Sequence, residues 1–109
     1  MNKKEAIRKF KEQKITQGAF AVRCAATKQV WVGSSRNLNA SQNLIWFSLR
    51  QGNYQEPTLQ KEWNAHGEAD FQYEILEVLD DQTLPMEVSD LLKVKKHSWM
   101  ERLGAEALP

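Results

Sequence analysis

With a single cysteine, Cys24, the 109-residue chain has no internal disulfide and no Cys-rich zinc site. A reducing compartment is the expected setting, and Cys24, placed in an apolar run, is expected to be inert packing. No segment approaches the roughly 18 uninterrupted apolar residues that span a bilayer, and no apolar run follows Lys3 and Lys4 as it does in a secretory leader. A cytoplasmic protein with no membrane partner is therefore expected. Internal repeats and low-complexity linkers are also missing, which leaves one domain with one core. Net charge is nearly missing too, at +1. The charge is segregated, however: residues 1–14 hold six Lys/Arg against two Glu, while residues 68–90 hold eight acidic groups and no basic one. The basic end fits either contact with a polyanion or plain solvation of a short helix.

What is present reads as alternating elements. Ala6, Ile7 and Phe10 share one face of a short helix over residues 2–12. Residues 19–25 and 29–34 are β-prone runs joined by the polar turn Ala26-Thr27-Lys28, the pattern of an antiparallel hairpin. Ser34, Ser35 and Asn37 then offer helix caps, and Leu38, Ile45 and Leu49 recur at helical spacing, predicting a helix over residues 38–50. A second helix follows from Pro57 to the stop at Gly67, with Leu59 and Trp63 one turn apart. Phe71, Tyr73 and Ile75 alternate with Gln72 and Glu74 in a third strand over residues 71–79. The last helix, residues 86–103, carries Val88, Leu92, Trp99 and Leu103 on one stripe. The order predicts an α+β fold, a small sheet covered by helices. Its two parts are a basic N-terminal helix (residues 1–16) and a domain (residues 17–109).

Two residues break this pattern. Lys96 falls on the stripe of the last helix, where an apolar group is expected, and Ser41 falls on the inward face between Leu38 and Ile45. A lysine stem can lie along apolar surface with its amine in water, so either residue alone is unremarkable as a boundary position.

Over residues 17–104 the chain resembles the GIY-YIG nuclease family. Gly18-Ala19-Phe20 stands in the first signature and Trp31-Val32-Gly33 in the second, separated by a distance that suits the family's hairpin. Residues 34–38 match the loop and helix entry that follow, "LQKEWNAHGEADFQYEILEVL" is similar to the helix and third strand, and "KHSWMERLGA" resembles the final helix. The resemblance implies a three-stranded antiparallel sheet flanked by helices, here with an extra N-terminal helix. It also implies single-strand nicking by divalent-metal-dependent phosphodiester hydrolysis. In the family a tyrosine pair handles water, an arginine on the first helix holds phosphate, and a glutamate on the last helix binds the metal.

Carried over residue by residue, that machinery is largely replaced. The tyrosine positions hold Phe20, which has no hydroxyl, and Trp31, whose indole only donates. The arginine position holds Ser41. The glutamate position holds Lys96, whose ammonium has no lone pair for Mg²⁺ and repels it. The two residues that broke the helical pattern are the two that stand at the family's phosphate and metal positions.

Three readings follow. In the first, a nuclease-like protein binds a nucleic-acid backbone, DNA foremost, without cutting it and without a cofactor, using Ser34, Ser35, Arg36, Asn37 and Lys96. The alternative role for that loop is simple helix capping. In the second, an active Mg²⁺- or Mn²⁺-dependent endonuclease uses substituted groups such as His97, His66, Glu87, Asp90 or Glu101, although His97 turns about 100° from Lys96 around a helix. In the third, the scaffold serves a protein partner, through an aromatic patch of Trp46, Phe47 and Tyr54 or through the acidic run of residues 68–90.

Overall fold

The computed structural model describes residues 16–80 and 83–108. The expected helix over residues 2–12 lies outside the described residues. The rest of the predicted order is present with boundaries shifted by about one residue: β1 (Gly18–Cys24), β2 (Val30–Ser35), α1 (Leu38–Gln51), α2 (Pro57–His66), β3 (Phe71–Val78) and α3 (Pro85–Leu103), with a 3₁₀ turn (Glu68–Asp70) that was not expected between α2 and β3. No described helix is long and apolar enough to cross a membrane.

β1 and β2 form the expected antiparallel hairpin, with Phe20 opposite Gly33 and Val22 opposite Trp31. The turn closes because Lys28, in the left-handed region at φ 66°, donates its N–H to the Cys24 carbonyl at 2.8 Å. β3 pairs antiparallel with the other edge of β1. These three strands are the sheet expected from the sequence. Beyond them, a short β4 (Glu106–Ala107) runs parallel to β2 beside Trp31 and Val32, so the sheet is mixed, with order β3-β1-β2-β4. Gly104, at φ 61°, lets the chain leave α3 toward β4, a conformation that costs other L-residues energy.

Residues paired across an antiparallel ladder share a face, so the alternation divides the core in two. On one face Phe20, Val22, Cys24, Trp31 and Phe71 meet Leu38, Ile45, Trp46 and Leu49 of α1 and Leu59 and Trp63 of α2. On the other, α3 packs on β1 and β2 above the fully buried Ala19, Ala21 and Val32, whose small side chains admit a helix close to the backbone. Val88 and Leu92 close over Leu79 at the end of β3.

Trp46 is buried, edge-on to Trp63 at 5.4 Å and to Tyr73 at 6.2 Å. Of the surface aromatic patch that the protein-partner reading requires, Phe47 stays exposed, joined by Leu44, while Tyr54 packs against the core. The acidic run is also divided: Glu68 pairs with Arg50 at 2.7 Å, Glu74 with Arg23 at 3.1 Å and Glu77 with Lys95 at 2.8 Å.

Gly18 marks the tightest strand approach, since a Cβ there would lie 1.9 Å from the Glu77 carbonyl oxygen, and backbone would have to move. Gly18→Ala is expected to lower unfolding free energy by about 1–3 kcal/mol, measured as a reduced urea midpoint at unchanged slope.

Candidate functional site

The site begins where β2 runs out. Strand alternation sends Ser34 and Ser35 to opposite faces: Ser34, opposite Ala19, lies on the α3 side, and Ser35, opposite Gly18, on the α1 side. Ser35 Oγ accepts the Asn37 N–H at 2.9 Å. Asn37 caps α1, its side-chain oxygen accepting the Ala40 N–H at 3.1 Å. One turn on, the Ser41 hydroxyl donates to the Asn37 carbonyl at 3.0 Å and shares a hydrogen bond with the Ser35 hydroxyl. Capping therefore accounts for Ser35 and Asn37 and draws in Ser41. Arg36, between them, is exposed and makes no ion pair among the described residues.

Behind this turn stands Tyr73, which the sequence marked only as a strand residue. Its ring stacks on Phe20 with centroids 5.0 Å apart and planes at 24°, and its hydroxyl donates to the Leu38 carbonyl at 3.1 Å. Burial pushes the Tyr73 phenol up to about 12, with the neighbouring Ser41 hydroxyl pulling slightly the other way. A hydroxyl thus exists beside Phe20, but it belongs to another strand and is held in its neutral, donating form.

Trp31 is fully buried. Its indole N–H donates to Thr58 Oγ1 at 3.0 Å, and the Thr58 hydroxyl in turn lies 2.9 Å from Glu56 and 3.0 Å from Glu106. The one proton that the indole can offer is thereby spent on fastening β2 to α2, next to β4. Phe20 is also buried, with its ring so close under Gly33 that a Cβ there would meet Cζ at 2.6 Å and the Leu108 Cβ at 3.2 Å.

Leu108 is the second residue that the sequence did not single out. Its N–H donates to the Val32 carbonyl at 2.8 Å, extending β4, and its side chain is buried in the cluster that holds Phe20 and Trp31. Its carbonyl accepts from the half-buried Lys96 amine. Lys96 is therefore turned to the C-terminal segment and shares no hydrogen bond with residues 34–37, so the structure does not join those expected partners into one hydrogen-bonded group. Tyr73 had a signal, its inward place in the β3 alternation. Leu108 had none, because a two-residue strand has no period.

Neither histidine enters this cluster. His97 is exposed and paired with Glu101 at 2.9 Å, and His66 is paired with Glu62 at 3.2 Å. Among the described residues no three His, Cys, Asp or Glu side chains are grouped closely enough to hold a metal ion.

The sequence matches no protein-family model and no curated protein. Two solved structures are similar in fold. One is the catalytic domain of the homing endonuclease I-TevI, 21% identical, covering 85% of this chain and 98% of that one at a TM-score of 0.71. The other is the catalytic domain of the intron endonuclease I-TevI in a point-mutant form, 22% identical, covering 83% and 86% at a TM-score of 0.70. The likeness is one of fold, and it bears out the GIY-YIG-like fold expected from the sequence.

Two outcomes follow from this geometry. Leu108→Ala is expected to destabilise the protein by about 2–5 kcal/mol, as buried leucine truncations do, in a chemical denaturation series. Tyr54 and Tyr73 are the two tyrosines of the chain, and both phenols are pushed up to about 12, chiefly by burial. The folded state holds these protons to higher pH than the unfolded chain, whose phenols ionise near ~10. Their contribution to stability is whole below that value and is lost as pH rises from it toward about 12. Tyr73→Phe should make that alkaline decline shallower, and tyrosinate absorbance should show both phenols ionising late.

Proposed function

We propose that this chain is a nuclease-fold protein that holds a nucleic-acid backbone, DNA foremost, and does not cut it by a metal-dependent route. The observation that carries the second half is the commitment of Lys96. An ammonium stands at the position corresponding to a metal ligand in the resembled family, and it is hydrogen-bonded to the Leu108 carbonyl. Mg²⁺ and Mn²⁺ take oxygen ligands, and at the four corresponding positions this chain offers a phenyl ring, a buried indole, a serine hydroxyl already engaged, and that ammonium. These residues do not fit a divalent cation.

Hydrolysis also requires a base to activate water. Phe20 has none to offer, Trp31 can only donate, and the nearby Tyr73 phenol keeps its proton throughout the physiological range.

The first half of the reading draws support from the fold, since the solved neighbours are catalytic domains of an endonuclease, and from Arg36. Its exposed guanidinium sits beside the N-terminus of α1, where the helix dipole favours an anion. Ser34, half-buried near the end of β2, adds a hydroxyl. Such contacts position a backbone and carry no sequence preference.

Binding to short duplex and single-stranded DNA, followed by fluorescence anisotropy, is expected to weaken steeply with salt, each phosphate contact adding about 0.9 to the log–log slope for duplex and about 0.7 for single strands. Arg36→Ala should weaken binding to all sequences alike and lower that slope by about one. With Mg²⁺ or Mn²⁺ added, the wild type should leave a supercoiled plasmid intact. The variant combining Phe20→Tyr, Trp31→Tyr, Ser41→Arg and Lys96→Glu tests the lost chemistry. Nicking by the wild type at the rate of that variant, abolished by EDTA, sinks the non-cleaving reading, and absence of DNA binding at low salt sinks the binding one.

A further inference from the structure

One strand of the sheet is open on its outer side. β4 covers the outer side of β2, whereas β3 has β1 on one side and no described strand on the other. Such an edge presents backbone N–H and C=O groups to any extended chain that can match them. Which groups these are follows from the ladder. The Ala25 N–H donates to the Asp70 carbonyl at 2.8 Å, and inward- and outward-bonding residues alternate along an antiparallel strand. Asp70, Gln72 and Glu74 are therefore bonded toward β1, while Phe71, Tyr73 and Ile75 turn their backbone groups outward. The Phe71 N–H is already held by the Glu68 carbonyl in the preceding 3₁₀ turn. Ile75 pairs with Phe20 and Glu77 with Ala19, so Leu76 is an extra residue and the regular edge ends there. What remains is the Phe71 carbonyl and both groups of Tyr73 and of Ile75.

We propose that this edge pairs with the same edge of a second copy of the chain, antiparallel and two-fold symmetric about Tyr73. The backbone groups match in that register. The two Tyr73 residues exchange both of their backbone bonds, and each Ile75 N–H donates to the Phe71 carbonyl of the other copy. The Ile75 carbonyl, opposite the engaged Phe71 N–H, stays with water.

The side chains match as well. On the α1 side Ile75, 44% exposed, comes opposite Phe71 of the other copy, a cross-strand apolar pair. On the α3 side Glu74 comes opposite Gln72, whose amide donates to the carboxylate, twice by symmetry. Neighbouring registers lack this fit. Centred on Glu74, the pairing sets two carboxylates directly against each other, and centred on Gln72 it sets Asp70 against Glu74; like charges so placed are destabilising. The pattern of the strand thus selects one register, and a self-complementary edge selects the chain itself as its partner. The inference is independent of the nucleic-acid reading, and its tests contain no nucleic acid.

Gln72 is exposed, so it can be changed without touching the core. In sedimentation equilibrium the full-length wild type is expected to dimerise reversibly. Gln72→Lys, facing Glu74 of the other copy, should tighten the dimer several-fold, and Gln72→Glu should weaken it several-fold. Opposed residues outside the bonded pairs bring their Cα atoms to about 4.5 Å, within disulfide reach. Under mild oxidation a mixture of Gln72→Cys and Glu74→Cys chains should therefore form the mixed interchain disulfide at least about tenfold faster than either variant alone forms its own. Lys61→Cys, exposed on α2, is a further control that should be as slow, and the native Cys24 is buried. A wild type still monomeric at about 1 mM, a dimer indifferent to both Gln72 charges, or a mixed disulfide no faster than the controls overturns the proposal.

Discussion

The hydrogen bond from the Leu108 N–H to the Val32 carbonyl is the constraint on which the arrangement around the candidate site depends. It seats β4 against β2, and in doing so carries the Leu108 side chain in against Phe20 beneath Gly33. It also places the Leu108 carbonyl where the Lys96 amine can donate to it. A half-buried ammonium is costly without an acceptor, and a backbone carbonyl at the sheet edge meets that need without a carboxylate. Gly33 is small for the same reason: a side chain there would occupy space already taken by the Phe20 ring and Leu108.

Around that constraint the polar groups serve structure. The Trp31 indole is bonded to Thr58, Ser41 to Asn37 and Ser35, and Tyr73 to Leu38. The first satisfies a donor on a fully buried side chain that would otherwise go unpaired at a cost of about 1–3 kcal/mol, and the others fasten half-buried hydroxyls to the backbone at the start of α1. Among the described residues the Arg23 Nε is a buried side-chain nitrogen without a partner; it belongs to a guanidinium whose Nη2 pairs with Glu74. Arg36, beside these groups, is exposed and makes no ion pair among the described residues.

The hairpin, α1, α2, β3 and α3 were all legible because each carries a local signal: β-prone runs around a polar turn, caps followed by helical spacing, proline at a start, glycine at a stop. The inward positions of Lys96 and Ser41 were legible for the same reason, since a periodic stripe exposes whatever interrupts it. The burial of Trp46 was less clear, because its place off the Leu38, Ile45, Leu49 stripe is compatible with surface, and only the position of α2 brings Trp63 over it. β4 was not legible, because two residues contain no periodicity and their pairing depends on where Gly104 sends the chain.

The sequence by itself therefore determined the order and type of the main elements, the faces they bury, and the residue types standing at the four resembled catalytic positions, because these are properties of spacing and side-chain chemistry. Tertiary structure alone decided what those side chains do. Register placed Phe20 over Tyr73, packing joined Trp31 to Thr58, and the return of the chain after α3 gave Lys96 a carbonyl to bind. A hydrogen bond between residues far apart in the chain leaves no trace in local periodicity; it exists only once strands and helices have brought its two ends together.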